Sequence, residues 1–403
     1  MAAAACQHVD RPADPLPPAF RRAAWTIGVV MAEFPDIDVL YSGASLGMGK
    51  LGYLLHHRGH THTLLFGIAA AFAAWGLALF LSRSLRAPRY ARALLVLSLV
   101  ASLSHVALDF TNSYGVHPWW PWSGRWIYGD AVFIVEPWLW IVAIPPLVLT
   151  VRRAAPRLLF AALLVVILVA SWRLEMVGAG VAAVLTAGAV GWSVVNWGAP
   201  AARRVSLGIV GWLALEVVFF ASAATGRTAV RHALGAELRD VVLTPSPGNP
   251  LCLSAIVVTD ADGIYAATKA TVAPLPALRS AAACRVGRAE DDGSAGGDVD
   301  RKRARPGRPA DSPTIRWGWQ WRAPVAELQV LAAERCDVSA ALRFIRVPIW
   351  RRSSDGAVTL FDLRYGDGED SFTTIVSRPG ETCDWPVPGW AWPRGDLLAG
   401  AVE

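Results

Sequence analysis

Uncharged apolar runs alternate with short polar loops through the first half of the chain, a pattern that predicts a polytopic membrane domain. Leu64–Leu81 is 18 residues long without a charge, and a hydrocarbon core needs roughly 17–25 such residues. Met176–Ala199 is uncharged throughout. Ala93–Asp109, Leu158–Trp172 and Val205–Ala224 are shorter or carry one polar residue, and each reads as a span. Ile134–Val151 holds Glu136, Pro137, Pro145 and Pro146 and reads as a kinked span. Ala23–Leu40 is apolar to Ala32 and then meets Glu33, Asp36 and Asp38; it either crosses or only dips into the membrane. The total is about seven spans.

After Arg227 the long apolar runs stop. Ala255–Val258, Thr314–Trp321 and Ala357–Tyr365 are rich in β-branched and aromatic residues, with Asp-Gly turns at Asp262-Gly263 and Asp355-Gly356. The expected fold is therefore mainly α. A transmembrane helical domain over 23–226 follows a disordered leader at 1–22, and a small β-rich domain occupies 227–403. Within that domain, Arg285–Pro313 is Arg, Asp, Gly and Pro with almost nothing to bury, and reads as a disordered loop.

Arginine placement sets the orientation, because cytoplasmic loops collect Lys and Arg. Arg83, Arg86, Arg89 and Arg92 share one loop, Arg152, Arg153 and Arg157 a second, and Arg203 and Arg204 a third. The loops between are poorer, with Arg125 and Arg173 nearly alone. Seven spans satisfy this alternation. Arg21 and Arg22 then lie inside, and the β-rich domain lies on the extracytoplasmic side. Its four cysteines, Cys252, Cys284, Cys336 and Cys383, either form two disulfides there or remain free and buried.

Composition agrees. Only 17% of residues are charged, below the roughly 25% of soluble domains, and many of the 19 Trp sit near the ends of apolar runs, as interfacial rings do. The net charge of +6 is modest and scattered, which argues against a nucleic-acid partner. The start of the chain carries no basic stretch followed by an apolar core, so no cleavable signal is expected.

Three polar clusters fall at the expected outer membrane ends. Phe34-Pro35-Asp36-Ile37-Asp38 offers two carboxylates one residue apart. Between His56 and His62 lie four of the eight histidines, and imidazole is a strong ligand for zinc and similar metals. His105 and Asp109 are four apart on one helical face, and an ionisable pair at membrane depth implies function. Asp130 and Glu136 would complete a coordination shell or act as general base, and Arg125 would hold an anionic group such as a phosphate. Trp119, Trp120, Trp122 and Trp126 read as an interfacial belt. A divalent metal bound among these groups would make hydroxide available for hydrolysis.

Together these residues resemble the YdjM-like family of bacterial inner-membrane, membrane-bound metal-dependent hydrolases. The matches are Pro35, Asp36 and Asp38; His57, Arg58, Gly59, Thr61 and His62; His105 and Asp109; Asn112, Tyr114 and Gly115; Pro121, Trp126 and Asp130; and Glu136, Pro137 and Trp138. Pro245–Leu251 matches a Pro-rich element more weakly. The family's opening Thr-His element has no counterpart, His60 stands where Trp is usual, Thr63 replaces Ser and Glu136 replaces Asp. The resemblance and the residues point to a divalent metal, zinc foremost, with Asp36, Asp38, His57, His62, His105 and Asp109 as ligands or near-ligands. They imply an inner-membrane hydrolase acting at the extracytoplasmic surface on a lipid or lipid-linked ester. The alternative is a non-catalytic metal-binding scaffold of the cell envelope. A transporter fits less well, because the ionisable groups cluster at one membrane face rather than the midplane.

Overall fold

A computed structural model of the chain describes residues 2, 6, 16–43, 48–284, 309–366, 371–383 and 385–398. Most of the expected leader and most of the expected loop at 285–313 lie outside the described residues.

The membrane half is helical: α1 (Pro18–Glu33), α2 (Gly49–His56), α3 (Leu64–Leu81), α4 (Pro88–Thr111), α5 (Pro137–Thr150), α6 (Ala154–Arg173), α7 (Ala179–Gly198) and α8 (Ala201–Leu234). Five of these, α3, α4, α6, α7 and α8, are long and apolar enough to cross a membrane. The other two expected spans fall on the 16-residue α1 and the 14-residue α5. At about 1.5 Å per residue both are shorter than the roughly 30 Å core. Within α1 the helix ends at Glu33, and a 3-10 turn over Phe34–Leu40 carries the two aspartates beyond it.

Helix pairing follows the apolar spacing. Helix α1 buries Phe20, Ala24, Ile27 and Met31, one stripe at helical period. It packs on the equivalent stripe of α4, Tyr90, Leu94, Leu97 and Ala101. Small residues set close approaches elsewhere. Ser98 on α4 donates to Ala71 O on α3 at 2.9 Å, and a Cβ on Gly211 of α8 would come within 2.9 Å of Val142 on α5. The outward faces of α3, α6, α7 and α8 expose large apolar side chains such as Phe80, Val166, Val194 and Val217, as a lipid-facing bundle must.

Helix α8 runs past the expected domain boundary to Leu234, because Phe219, Ala223 and Val230 still have apolar surface to cover. That surface is an antiparallel four-stranded meander, β1 (Leu238–Ser246), β2 (Asn249–Ala261), β3 (Ile264–Val272) and β4 (Ile315–Pro324). Asp262-Gly263 joins β2 to β3 with both φ positive, 53° and 74°, as a two-residue hairpin turn demands. A second antiparallel sheet holds β5 (Pro348–Arg352), β6 (Val358–Asp362) and β7 (Ile375–Ser377). Between the sheets lie α9 (Val325–Glu334) and α10 (Cys336–Ala341), with α11 (Gly395–Leu398) near the end. Disulfides Cys252–Cys284 and Cys336–Cys383 staple the domain.

The two halves share one core. Leu51, Leu54 and Leu55 of α2 pack with Tyr114 and Trp126 into the same cluster as Tyr265, Phe344, Trp350 and Trp390 of the β-rich part. Trp390 is buried and donates its indole N–H to Leu55 O at 2.8 Å. The loops carrying the site motifs are thus clamped against the C-terminal domain.

Candidate metal centre

Four side chains meet where three elements end. The turn after α1 supplies Asp36, the loop before α3 supplies His62, and the last turns of α4 supply His105 and Asp109. One ligand atom from each lies within 4.8 Å of the others.

Local backbone explains the loop. Helix α2 ends at His56, and Arg58 takes a left-handed conformation, φ 56°. Gly59 follows at φ −82°, ψ −121°, and a Cβ there would lie 2.9 Å from His56 O. Only glycine is comfortable in that approach. Thr63 then caps α3, its Oγ1 accepting from Phe66 N at 3.1 Å. The chain reverses between α2 and α3, and His62 is left fully buried, facing the carboxylates.

His62 Nε2 lies 3.2 Å from Asp36 Oδ1 and 3.1 Å from Asp109 Oδ2. His105 Nε2 lies 3.5 and 3.3 Å from the same two oxygens. Yet His62 Nε2, His105 Nε2 and Asp109 Oδ2 are buried and none of them makes a hydrogen bond among the described residues. They converge at contact distance without aligning on one another. That is the arrangement of donors aimed at a common cation.

The opposite edges are held. His105 Nδ1 meets Ala32 O at 2.5 Å. His62 Nδ1 lies 3.2 Å from Asp38 Oδ2, and His57 Nδ1 is 2.9 Å from Asp38 Oδ1. Asp38 also accepts from Thr61 Oγ1 at 2.7 Å and from Arg58 N at 2.9 Å. Fully buried and with both oxygens engaged, it orients histidines, as outer carboxylates do in metal sites. Asp36, Asp38 and His57 form a second group with metal-ligand spacing that shares Asp36 with the first.

Electrostatics fit a divalent ion. Arg58 Nη2 pairs with Asp109 Oδ1 at 2.7 Å, and Arg58 Nη1 donates to Asn112 Oδ1 at 3.2 Å. Three carboxylates face one guanidinium, leaving two negative charges if the imidazoles are neutral. The His105 and His62 imidazoles beside it hold Asp36 far below the usual carboxylate range. Burial opposes ionisation of Asp38, but His57 and His62 outweigh it and bring its pKa down to about 2. Burial likewise opposes charge on His62, yet Asp109, Asp36 and Asp38 push its pKa up to about 9. The pocket stabilises positive charge at its centre, which a bound divalent cation would supply in place of a proton. Both the donor set and its orphaned atoms fit ligation of a divalent cation by imidazole and carboxylate.

Other expected residues go elsewhere. Asp130 is gripped by Arg346, whose Nη1 and Nη2 each lie 2.9 Å from its two oxygens, and by Arg227 at 3.0 Å. Glu136 caps α5 by accepting from Trp138 N at 3.1 Å and from Gly248 N at 3.2 Å. Arg125 is exposed beside a separate cleft. Of the four clustered histidines, His60 packs on Trp120 and Trp390 instead. His117, which the motif spacing did not single out, is buried between Trp126 and Trp390, and desolvation lowers its pKa to about 3. Its position in Tyr-Gly-Val-His-Pro, directly after the matched Tyr114 and Gly115, was the available signal.

No curated protein and no solved structure matches the chain. Residues 1–181, the stretch that carries every residue of the centre, match the model of a family described as YdjM inner membrane protein.

Proposed function

We propose that this protein is a multi-pass inner-membrane hydrolase whose divalent metal, zinc foremost, is held by Asp36, His62, His105 and Asp109 at the extracytoplasmic surface. Asp38 and His57 stand behind these ligands as near-ligands. Helices α1 and α5 complete seven crossings, which puts the arginine-rich loops inside and the β-rich domain outside. Two disulfides in that domain support an oxidising side.

The convergence of His62 Nε2, His105 Nε2 and Asp109 Oδ2, buried and without hydrogen bonds among the described residues, carries this reading. When bound, the metal supplies Lewis acidity and activates water for hydrolysis. The chain's own groups do the rest. Asp38 and Ala32 O fix the imidazole orientations, while Arg58 neutralises Asp109 and anchors it to Asn112.

Access favours a lipid or lipid-linked ester as substrate. Asp36 is 43% exposed, whereas Asp109 is 14% and His62 0%. The same turn exposes Ile37, Val39 and Leu40, so the centre opens beside apolar surface at the membrane edge. That exposed edge gives a substrate a route to the centre; a coordination position left open to water would mark an enzyme, and closure by four protein ligands a scaffold.

Metal content of the detergent-purified protein is the test, wild type beside a His62→Ala/His105→Ala variant. The expected result is near-stoichiometric transition metal in the wild type, lost from a variant that still folds. A wild type that stays metal-free after reloading would sink the proposal. With metal established, chelator-sensitive cleavage of carboxylic and phosphoric ester probes separates the enzyme from the scaffold.

A further inference from the structure

On the junction between the two halves, away from the four metal-site residues, lies a cleft of about 620 Å³ bearing six charged side chains: Arg125, Arg239, Arg346, Arg394, Asp240 and Asp396. Four guanidiniums face two carboxylates, so the lining carries an excess of positive charge. Both carboxylates are already engaged. Asp240 Oδ2 lies 2.7 Å from Arg346 Nε and 3.4 Å from Arg394 Nη1, and Asp396 pairs with Arg394. Asp130, behind the cleft, takes the remaining face of Arg346.

Donors are left over. Arg394 is only 4% exposed, yet its Nε makes no hydrogen bond among the described residues. Arg125 is exposed, and its guanidinium makes no hydrogen bond or ion pair among the described residues. Arg239 is half-exposed and holds Asp260 at only 3.4 Å. Leaving donors of a buried guanidinium unmet is costly, and an oxyanion is what satisfies them best, because the planar fork matches phosphate geometry. The walls are aromatic. Tyr128 lies under Arg346 at 4.0 Å and Trp392 under Arg343 at 4.7 Å, fixing these cations in place.

We infer that this cleft is a phosphate-binding site, taking a phosphate monoester or diester attached to a group of polyol or sugar size. A bare phosphate would leave most of the volume empty, and pockets of this size hold small organic ligands. Sequence spacing suggested Arg125 as an anion holder; the structure adds three arginines from β1, the β5 approach and the C-terminal segment. The inference does not depend on the metal centre.

Soluble and lipid-borne phosphate are separated by two probes on the full-length chain. Glycerol 3-phosphate is titrated calorimetrically into EDTA-treated protein in neutral detergent. Protein reconstituted in phosphatidylglycerol nanodiscs is then tested for retained lipid by native mass spectrometry. Arg125→Glu is exposed and should fold. It is expected to weaken binding at least tenfold, Arg125→Lys to keep most of it, and His62→Ala/His105→Ala to keep all of it. Arg125-dependent binding of glycerol 3-phosphate identifies a soluble ligand; Arg125-dependent retention of lipid alone identifies a headgroup; either supports the site. No binding of either probe, binding equal in Arg125→Glu, or binding lost only in the histidine variant would overturn it.

Discussion

Asp38 shows how far single residues could be read. The chain presents Asp36-Ile37-Asp38 as two equivalent carboxylates, and nothing in the spacing separates a ligand from a group that orients ligands. Folding separates them: Asp36 lies half-exposed among the converging atoms, while Asp38 is buried with both oxygens engaged by His57, His62, Thr61 and Arg58. His105 and Asp109, by contrast, were legible from the i, i+4 rule alone, and the structure brings them together at 3.3 Å. Asp38→Asn should therefore keep the four candidate ligands yet weaken metal affinity about 10–100-fold, as loss of outer-shell partners does. Competition with a chelator of known affinity measures this. An affinity equal to wild type would remove Asp38 from the site, and complete metal loss would make it a ligand.

Among the elements, those with strong periodicity were readable and short ones set by tertiary contacts were not. The apolar runs became α3, α4, α6 and α7 to within about five residues and α8 with ten more at its C-terminal end, and the Asp262-Gly263 pair marked its hairpin. Helices α9 and α10, at 10 and 6 residues, were invisible because sequence signals weaken at that length and packing under the sheets decides them. The disulfide pairing was equally closed to inspection, since four cysteines allow three connectivities. The observed bridge Cys252–Cys284 ties β2 to the segment after β3 across 32 residues. Loop-closure entropy of that size contributes about 3–4 kcal/mol. A Cys252→Ser/Cys284→Ser variant is expected to lower the stability of the C-terminal domain by about 2–4 kcal/mol, read as a shift in chemical denaturation. Thiol trapping in intact cells adds the topology: oxidised Cys252 and Cys284 are expected, and fully reduced thiols would contradict an extracytoplasmic domain.

Across the whole molecule, a buried ion network joins the membrane half to the β-rich half. Arg346 reaches Asp130 from the loop before α5 and Asp240 from β1, and Arg364 donates to Ser113 O at 2.5 Å. No sequence pattern announces a contact between residues 130 and 346, which is why Asp130 read as a catalytic base. Removing one partner of such a buried pair strands the other, so Arg346→Ala should cost about 3–5 kcal/mol. Asp130→Asn should likewise lower the unfolding temperature while leaving metal content unchanged. Acid provides the gentler probe. Burial resists the charge on Asp240, but Arg346 and Arg394 overcome it and hold its pKa down to about 2, against about 3.9 unfolded. A carboxylate with a depressed folded pKa stabilises the fold above its unfolded value. That contribution, about 2–3 kcal/mol at 1.36 kcal/mol per unit, is present above about pH 4 and is lost as pH falls toward 2. Asp240 is 21% exposed, so solvent screens it only modestly. Thermal unfolding of wild type and Asp240→Asn in detergent between pH 5 and 2 should start apart and converge as Asp240 takes up its proton. Parallel curves would mean that Asp240 is not the charge that joins the two halves.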